Sequence, residues 1–448
     1  MSVFSFFGEL FGGKREKPLT GRLVLGRESL GANNVISLDE STLRNHLFMS
    51  GRSGSGVSVL TEQMLTQQTE HGRGWIYLDH HADEAMLARM TAQAQKHGRE
   101  DEFLVLDLHT PERSNSYAIL QSGTPEERAV RVLQSLPAAE NNPGADFYRQ
   151  TAYAVLAPLF AAIDATGKVI GLRDLALLVG QLDEEAVLRE FLDNVPVAHE
   201  SRTELLAALE TAKRENRLVK QVLGGISGRL YLLSTLKLPN LLDAAAPQIV
   251  MADVLAHNKM LYVRLPLMQK DSVITTIARL VMHDIVTSVF ARTHTPARLL
   301  KPFLVVMTGF PAYGLSGSSH AAVSSAAYSH ARAMRVTLVP VVDGGWNQIS
   351  QLSEDGAEIL CGNTFSKIYF NQPQDERTAR MHTELQPATL DKLSLGEFML
   401  WTGNAVHRGL LNSNPAEVPA GGVRRRDAPR AVARPRLKLS SLVDFAAS

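Results

Sequence analysis

The chain has 448 residues, more than one ordinary domain and enough for two or three units with a sizeable core. Lys plus Arg and Asp plus Glu each number 46, a formal net charge of +0, so no bulk basic field recommends nucleic acid as a partner, although local clusters remain open to it. The single cysteine, Cys361, excludes an intrachain disulfide and any cysteine-rich metal site, which agrees with a reducing compartment.

The opening segment MSVFSFFGELFGGKREK places Phe4, Phe7, Leu10 and Phe11 at helical spacing. Its basic residues Lys14, Arg15 and Lys17 follow the apolar part and no small-residue cleavage site appears, so it does not read as a secretory signal. Residues 1–18 are expected to form a short amphipathic segment; either residues 4–11 touch a membrane surface or a partner, or the terminus packs locally.

Residues 19–123 alternate strand-like and helix-like stretches. His46–Ser50 predicts a strand, Gly51–Gly56 a glycine-rich loop and Val57 to about His71 a helix. Trp75–Asp79 and Phe103–Asp107 predict further strands around a helix over Glu84–His97, the pattern of an α/β unit with parallel strands. Between 124 and 242 the strand-like runs give way to Leu- and Ala-rich periodic segments, which predicts an all-α insert. The longest apolar run, Ala152–Ile163, contains Pro158 and falls short of the about 20 residues that span a bilayer, so no stretch is expected to cross one. From 243 to 411 strands return at Met260–Leu265, Phe303–Met307, Val336–Val342, Ser366–Phe370 and Phe398–Trp401, with helices such as Ser272–Ala291 between. Residues 412–448 turn to Pro, Ala, Gly and Arg and predict a flexible basic tail, either a solvated linker or a contact for phosphate or an anionic surface.

The stretch Gly51, Arg52, Ser53, Gly54, Ser55, Gly56, Val57, Ser58 has the spacing of a phosphate-binding loop at every position but one. In such a loop backbone N–H groups converge on phosphate oxygens, a lysine neutralises them and a hydroxyl meets magnesium. Val57 occupies the lysine position. The nest can still favour an anion, but a transferred phosphoryl group loses its main side-chain counter-ion. A hydrolytic site also needs carboxylates after a hydrophobic strand; PFLVVM (Pro302–Met307) is followed by Thr308 and Gly309, which have none. His80 and His81 follow a strand, but neighbours in sequence are expected to face apart and lack companions at ligand spacing, so no metal site is expected. Cys361 reads as a small buried hydrophobe, and Trp346 and Trp401 as core or interface residues.

The order of these features resembles the type IV coupling proteins, the TraD/TraG and DotL-like ATPases of conjugation and type IV secretion, from about Arg27 to Leu410. It rests on NHLFMSGRSGSGVS, IYLDHHAD, HGREDEFLVLDL, SNSYAIL, MLYVRLPL and FLVVMTGFPAYG, and most specifically on HARAMRVTLVPVVDGGWNQISQL, GAEILCGNTFSKIYFNQPQDERTARM and LSLGEFMLW. The resemblance implies a RecA-like P-loop NTPase fold with a parallel-rich central sheet interrupted by an all-α insert. It also implies an oligomeric, cytoplasmic component of a conjugative DNA transfer or type IV secretion apparatus, peripheral to the inner membrane, with an active paralogue among its partners. By the same resemblance Val57, Thr308, Gly309 and Asp343 are degenerate catalytic positions, His81 replaces a lysine, and Arg332 falls at the inter-subunit arginine finger. ATP with magnesium is the family's cofactor; with these losses no firmly held cofactor and little or no hydrolysis are expected. Two alternatives remain: a weakly active ATPase recruiting Asp79, Asp83 or Asp343, and a DNA-binding ring subunit using the basic tail.

Overall fold

The structure, a computed structural model, describes residues 21–30, 33–134, 143–214, 218–235, 241–266, 272–313, 318–342, 354–372, 390–403, 405–412 and 429–444. The segment 1–18, Asp343 and Trp346 lie outside these residues.

The strands are β1 (Leu23–Glu28), β2 (Val35–Leu38), β3 (Leu47–Ser50), β4 (Trp75–Asp79), β5 (Phe103–Asp107), β6 (Met260–Arg264), β7 (Phe303–Met307), β8 (Val336–Val342), β9 (Ser366–Phe370), β10 (Glu397–Trp401) and β11 (Val406–Leu410). They form one sheet in the order β2-β1-β11-β10-β9-β3-β8-β7-β4-β6-β5. From β9 to β5 every pairing is parallel, and from β9 outward through β10, β11, β1 and β2 every pairing is antiparallel. The sheet is therefore the mixed, mostly parallel kind expected. The antiparallel strands β1, β2 and β11 were not anticipated, because Gly and Arg interrupt the alternation in LVLGRE and VHRGL and β2, VISL, is only 4 residues long.

Continuous burial marks the parallel strands: β3 to β7 and β9 are buried at all positions, as is β8, because helices cover both faces. On one face Leu47, Met49, Trp75, Tyr77, Leu304 and Val306 pack with residues of two helices, Val57–Glu70 and Glu84–Lys96. On the other, Phe48, Ile76, Leu78, Val263 and Val305 share a core with the helix Ser272–Ser288. Each of these side chains removes its apolar surface from water, worth about 1.5–3 kcal/mol apiece for the larger ones. The outer edge of β5 is covered by Ser114 and Asn115: Asn115 N donates to Val105 O (2.7 Å), Asn115 Oδ1 accepts from Val105 N (2.9 Å) and Ser114 Oγ accepts from Asp107 N (2.9 Å).

Among the described residues, six α-helices between β5 and Leu241 (Pro125–Gln134, Pro143–Ala165, Leu172–Gly180, Glu185–Asp193, Glu200–Arg214 and Leu218–Thr235) follow one another with no intervening strand. The chain enters and leaves this stretch through one zipped segment, where Tyr117 N donates to Leu241 O (2.6 Å) and Ile249 N to Ser116 O (2.9 Å).

Two expectations require correction. The segment Val273–His294, 22 residues with mean hydropathy 1.5, is long and apolar enough to cross a membrane by length and composition. Counting uninterrupted apolar runs missed it because Thr275, Arg279, His283 and Asp284 break the run. Ile277, Leu280, Val281 and Ile285 are fully buried against the sheet, so here it serves as a core helix. The last part of the basic tail is also not free. Residues 429–444 lie along the helical region: Leu437 is fully buried, its N donates to Val169 O (2.7 Å), and Arg436 pairs with Asp243 (3.1 Å). Glu190 accepts from the backbone N of Ser440 (2.7 Å) and of Ser441 (2.8 Å), bonds that hold its carboxyl down at about 2. Apolar anchors Leu437 and Leu439, set among the basic residues, escape a reading by composition.

His46, just before β3, sits at φ 63 with both ring nitrogens engaged: Nε2 donates to Tyr328 O (2.8 Å) and Nδ1 accepts from Leu338 N (3.0 Å). Burial draws its pKa down to about 4. An unfolded imidazole takes up a proton below about 6.5 and the folded one only below about 4, so stability is full above the first value and falls as pH drops between them. The loss should reach about 3 kcal/mol by pH 4. Denaturant midpoints measured from pH 7.5 to 4 should show this slope in the native chain and lose it in His46→Asn; an identical slope in both would refute the assignment.

Candidate functional site

β3 ends at Ser50, and the chain turns through Gly51–Gly56 into the helix Val57–Glu70. Gly54 (φ 78) and Gly56 (φ 123) take backbone angles that L side chains avoid, and a Cβ on Gly51 would lie 2.6 Å from Ser55 Oγ. Long-range bonds hold the loop: Gly51 N donates to Val342 O (3.2 Å), Arg52 N to Asn371 O (2.9 Å), and Gly396 N to Ser55 O (3.0 Å). Ser50 Oγ donates to Gln372 Oε1 (2.7 Å). The loop thus presents a helix N-terminus beside a cavity of about 570 Å³, lined from the loop by Arg52, Ser53, Gly54, Gly56, Val57 and Ser58. That volume is within the usual range for a small-molecule site. Val57 is 5% exposed and belongs to the core beneath the loop, whereas Ser58 is exposed.

The opposite wall comes from the distant β10–β11 region through Leu395, Gly396, Leu410, Leu411 and Asn412. These residues had not been singled out. Leu395 and Gly396 fall within the LSLGEFMLW segment, but nothing there points to a ligand, and only the antiparallel pairing of β10 with β9 brings these residues beside the loop.

One strand, β8, separates β3 from β7, which places the C-terminal end of β7 near the loop. Thr308, 4% exposed, donates through Oγ1 to Leu78 O (2.8 Å) and accepts there from His80 N (3.2 Å). Gly309 has φ 65, and a Cβ there would lie 2.7 Å from His80 Cγ. The imidazole of His80 therefore fills the space a side chain at 309 would need. The two histidines do not face apart as expected: their ring centroids are 3.6 Å apart. The turn is irregular, with Ala82 at φ 55 and Asp79 accepting from the backbone N of His81 (3.0 Å) and of Asp83 (2.7 Å), so the rules of a regular strand do not apply. His81 is exposed and lines the cavity.

The alternative acids are engaged elsewhere. Asp79 is 1% exposed and also accepts from Tyr262 OH (2.8 Å); burial raises its pKa against the lowering effect of these bonds. Asp83 caps the helix Glu84–Lys96 by accepting from Ala85 N (2.9 Å) and Met86 N (3.1 Å). Neither lines the cavity, and among the described residues its walls hold no carboxylate and no lysine. A nucleotide suits the cavity by size, nest and apolar wall. Among the described lining residues magnesium finds only neutral side-chain oxygens, those of Ser53, Ser58 and Asn412, and no carboxylate, which is a poor binding set for a hard cation.

Arg332 lies exposed in the last turn of the helix Ser318–Ala333, and Asp343 falls outside the described residues. Cys361 is partly buried, with burial pushing its thiol up to about 11, so it is no ready nucleophile. Trp401 receives Lys367 Nζ 4.6 Å from its ring centroid. No group of three or more His, Cys, Asp or Glu that could hold a metal occurs among the described residues.

No family model and no curated protein matches the sequence. Solved structures do match its shape. The plasmid coupling protein TrwB in complex with the non-hydrolysable ATP analogue ADPNP superposes with a TM-score of 0.60 at 14% identity, covering 93% of this chain and 100% of that one. The unbound conjugative coupling protein TrwB gives 0.59 at 13% identity over 90% and 91%. VirB4 of Thermoanaerobacter pseudethanolicus gives 0.56 at 14% identity over 88% and 97%. With a phosphate-type loop at the end of a central parallel strand, and with this likeness over nearly its whole length, the chain has the P-loop NTPase fold seen in the conjugative coupling protein TrwB and in VirB4.

Proposed function

We propose that this chain is a coupling-protein-like component of a conjugative DNA transfer or type IV secretion apparatus that acts as a structural or adaptor subunit and does not turn over ATP. The observation that carries this reading is the chemistry of the cavity walls: no lysine and no carboxylate among the described residues, with Thr308 and Gly309 at the end of β7. Phosphoryl transfer needs charge on the transferred group and an oriented water, and each lost stabilising group typically costs several kcal/mol of barrier. The engagement of Asp79 and Asp83 weighs against a weakly active enzyme recruiting either. Partners on this reading are components of the apparatus, including an active paralogue that shares a ring with it, and the site of action is the cytoplasmic face of the inner membrane, with residues 4–11 as a peripheral contact. A DNA-binding role for the tail is weakened by the docking of residues 429–444.

Purified full-length protein should release no phosphate from ATP above the buffer rate between pH 6 and 8, with or without magnesium. Mixed with a lysine-bearing coupling protein, it should co-elute in one oligomer. Turnover by the chain alone would overturn the proposal.

A further inference from the structure

The chain as a whole balances its charges, but one end of its sheet does not. The neighbouring parallel strands β4, β7 and β8 begin at the end opposite the phosphate loop. The segments leading into them, residues 71–74, 294–302 and 330–335, contain Arg73, Arg298, Lys301, Arg332 and Arg335 and no Asp or Glu. Hydrogen bonds join the three: Lys301 Nζ donates to Gly72 O (2.9 Å) and Arg335 Nη1 to Leu300 O (2.9 Å). Of the acids beside them, Glu40 pairs with Arg335 (3.1 Å) and Glu70 ends the helix Val57–Glu70. Helix C-termini attract cations, which accounts for Arg332 in the last turn of the helix Ser318–Ala333. That attraction does not account for apolar side chains left in water on the same face. Leu299, next to the exposed Arg298, is 60% exposed, and Phe290, with its ring 4.5 Å from that of His330, is 42% exposed. Gly21 lies here as well, since a Cβ on it would be 3.9 Å from Arg73 Nη2. The chain that carries Phe4, Phe7, Leu10 and Phe11 therefore joins the body at this face.

We propose that the face formed by Arg73, Arg298, Lys301, Arg332 and Arg335, with Leu299 at its tip, seats the folded body on a bilayer surface that carries anionic headgroups. Each Lys or Arg held near such a surface strengthens binding about fivefold at moderate salt. Nucleic acid would also meet the cations, but a duplex backbone offers nothing to Leu299 and Phe290. The boundary between headgroups and acyl chains takes basic and apolar side chains together. A short apolar anchor alone binds weakly and reversibly, and stable attachment takes a second signal such as a basic patch. The assignment deepens the reading of residues 4–11 as a peripheral contact, and it rests on that reading for the other of the two signals. What it adds is the face of the body that meets the lipid. Because the phosphate loop lies at the far end of the same parallel strands, its cavity is turned away from the bilayer.

The test is flotation of the full chain with vesicles of phosphatidylcholine, either pure or with about a third phosphatidylglycerol. The chain should float with the anionic vesicles, less so as salt rises, and weakly with the neutral ones. The double change Arg298→Gln, Arg332→Gln should lower partitioning onto anionic vesicles roughly ten- to thirtyfold. Both side chains are exposed, so this variant should melt like the native chain and its effect is not one of folding. Leu299→Trp adds a reporter at the tip, and its emission, after subtraction of the native signal, should shift to shorter wavelength with anionic vesicles. No flotation with anionic vesicles overturns the proposal, as does undiminished flotation of the double variant. Flotation with no shift at Leu299→Trp also overturns it, and leaves residues 4–11 as the contact. Should Phe4→Ser, Phe7→Ser keep both the flotation and the shift, the face stands and the reading of residues 4–11 falls. A short DNA duplex that binds the native chain but not the double variant, with no flotation of either, would assign the face to nucleic acid instead.

Discussion

Replacing Asp284 with alanine should remove roughly 3–5 kcal/mol of stability, the largest loss expected from a single substitution away from the cavity. Asp284 and Arg131 both have fully buried side chains, and their charges meet at 2.7 Å. The same carboxylate accepts from Tyr117 OH and from Ser122 Oγ (2.7 Å), while Arg131 Nη1 also donates to Ile119 O (3.0 Å) and Ser122 O (3.1 Å). Burial pushes the Tyr117 hydroxyl far above its ordinary value, with the Asp284 charge adding to the effect. Removing the carboxylate strands a guanidinium and a phenol in a dry interior that joins the helix Ser272–Ser288 to the helix Pro125–Gln134 and to the chain entering the helical region. The loss thus reflects an uncompensated charge more than the worth of the pair. The double change Arg131→Met, Asp284→Leu should consequently cost less than Asp284→Ala alone. Urea denaturation of the three proteins checks both statements. A single alanine variant within 1 kcal/mol of native, on the scale of an exposed ion pair, would show that water reaches the pair.

Putting a glutamate at Gly309 should destabilise the chain by roughly 2–4 kcal/mol and restore no ATP turnover, even with Val57→Lys and Thr308→Asp beside it. The backbone at 309 has φ 65, and a new Cβ would lie 2.7 and 2.8 Å from two atoms of the His80 ring. Thr308→Asp exchanges a hydroxyl that donates to Leu78 O for a carboxylate that cannot donate at neutral pH. Val57→Lys places an ammonium where the side chain is 5% exposed and packed in the core. Each of these changes therefore meets surroundings fitted to the present residue. Adding His80→Ala to Gly309→Glu should recover part of the lost stability, because the ring is the closest obstacle, while the strain of the backbone angle remains. Thermal unfolding of the single and double variants decides the matter. Equal melting of Gly309→Glu and the native chain would mean that the His80 ring is free to move aside.

The phosphate loop was legible in the sequence because its shape is a local matter. Glycines at 54 and 56 permit the left-handed angles the nest needs, and the following residues can continue as a helix. The parallel strands were legible for a related reason, since burial on both faces leaves continuous apolar runs such as FLVVM and VTLVPVV. The antiparallel strands β1, β2 and β11 were not, because VISL is only 4 residues long and the Gly and Arg of LVLGRE and VHRGL interrupt the alternation, so these segments look like loops until a partner strand pairs with them. The tail was misread in its last part because two leucines that find a groove weigh little against many arginines in a composition count.

By itself, then, the sequence determined the parallel strands and the helices between them, the conformation of the loop at Gly51–Ser58, and the chemical identity of Val57, Thr308 and Gly309, all properties of single residues or near neighbours. Only the tertiary structure decided that Asp79 and Asp83 are turned to other work, that His80 occupies the space beside Gly309, and that His81 shares a cavity with Arg52 and with leucines from β11 and the turns flanking β10–β11. Backbone angles and residue types are set along the chain, whereas the company a side chain keeps is set by strand pairing and packing between segments far apart in it.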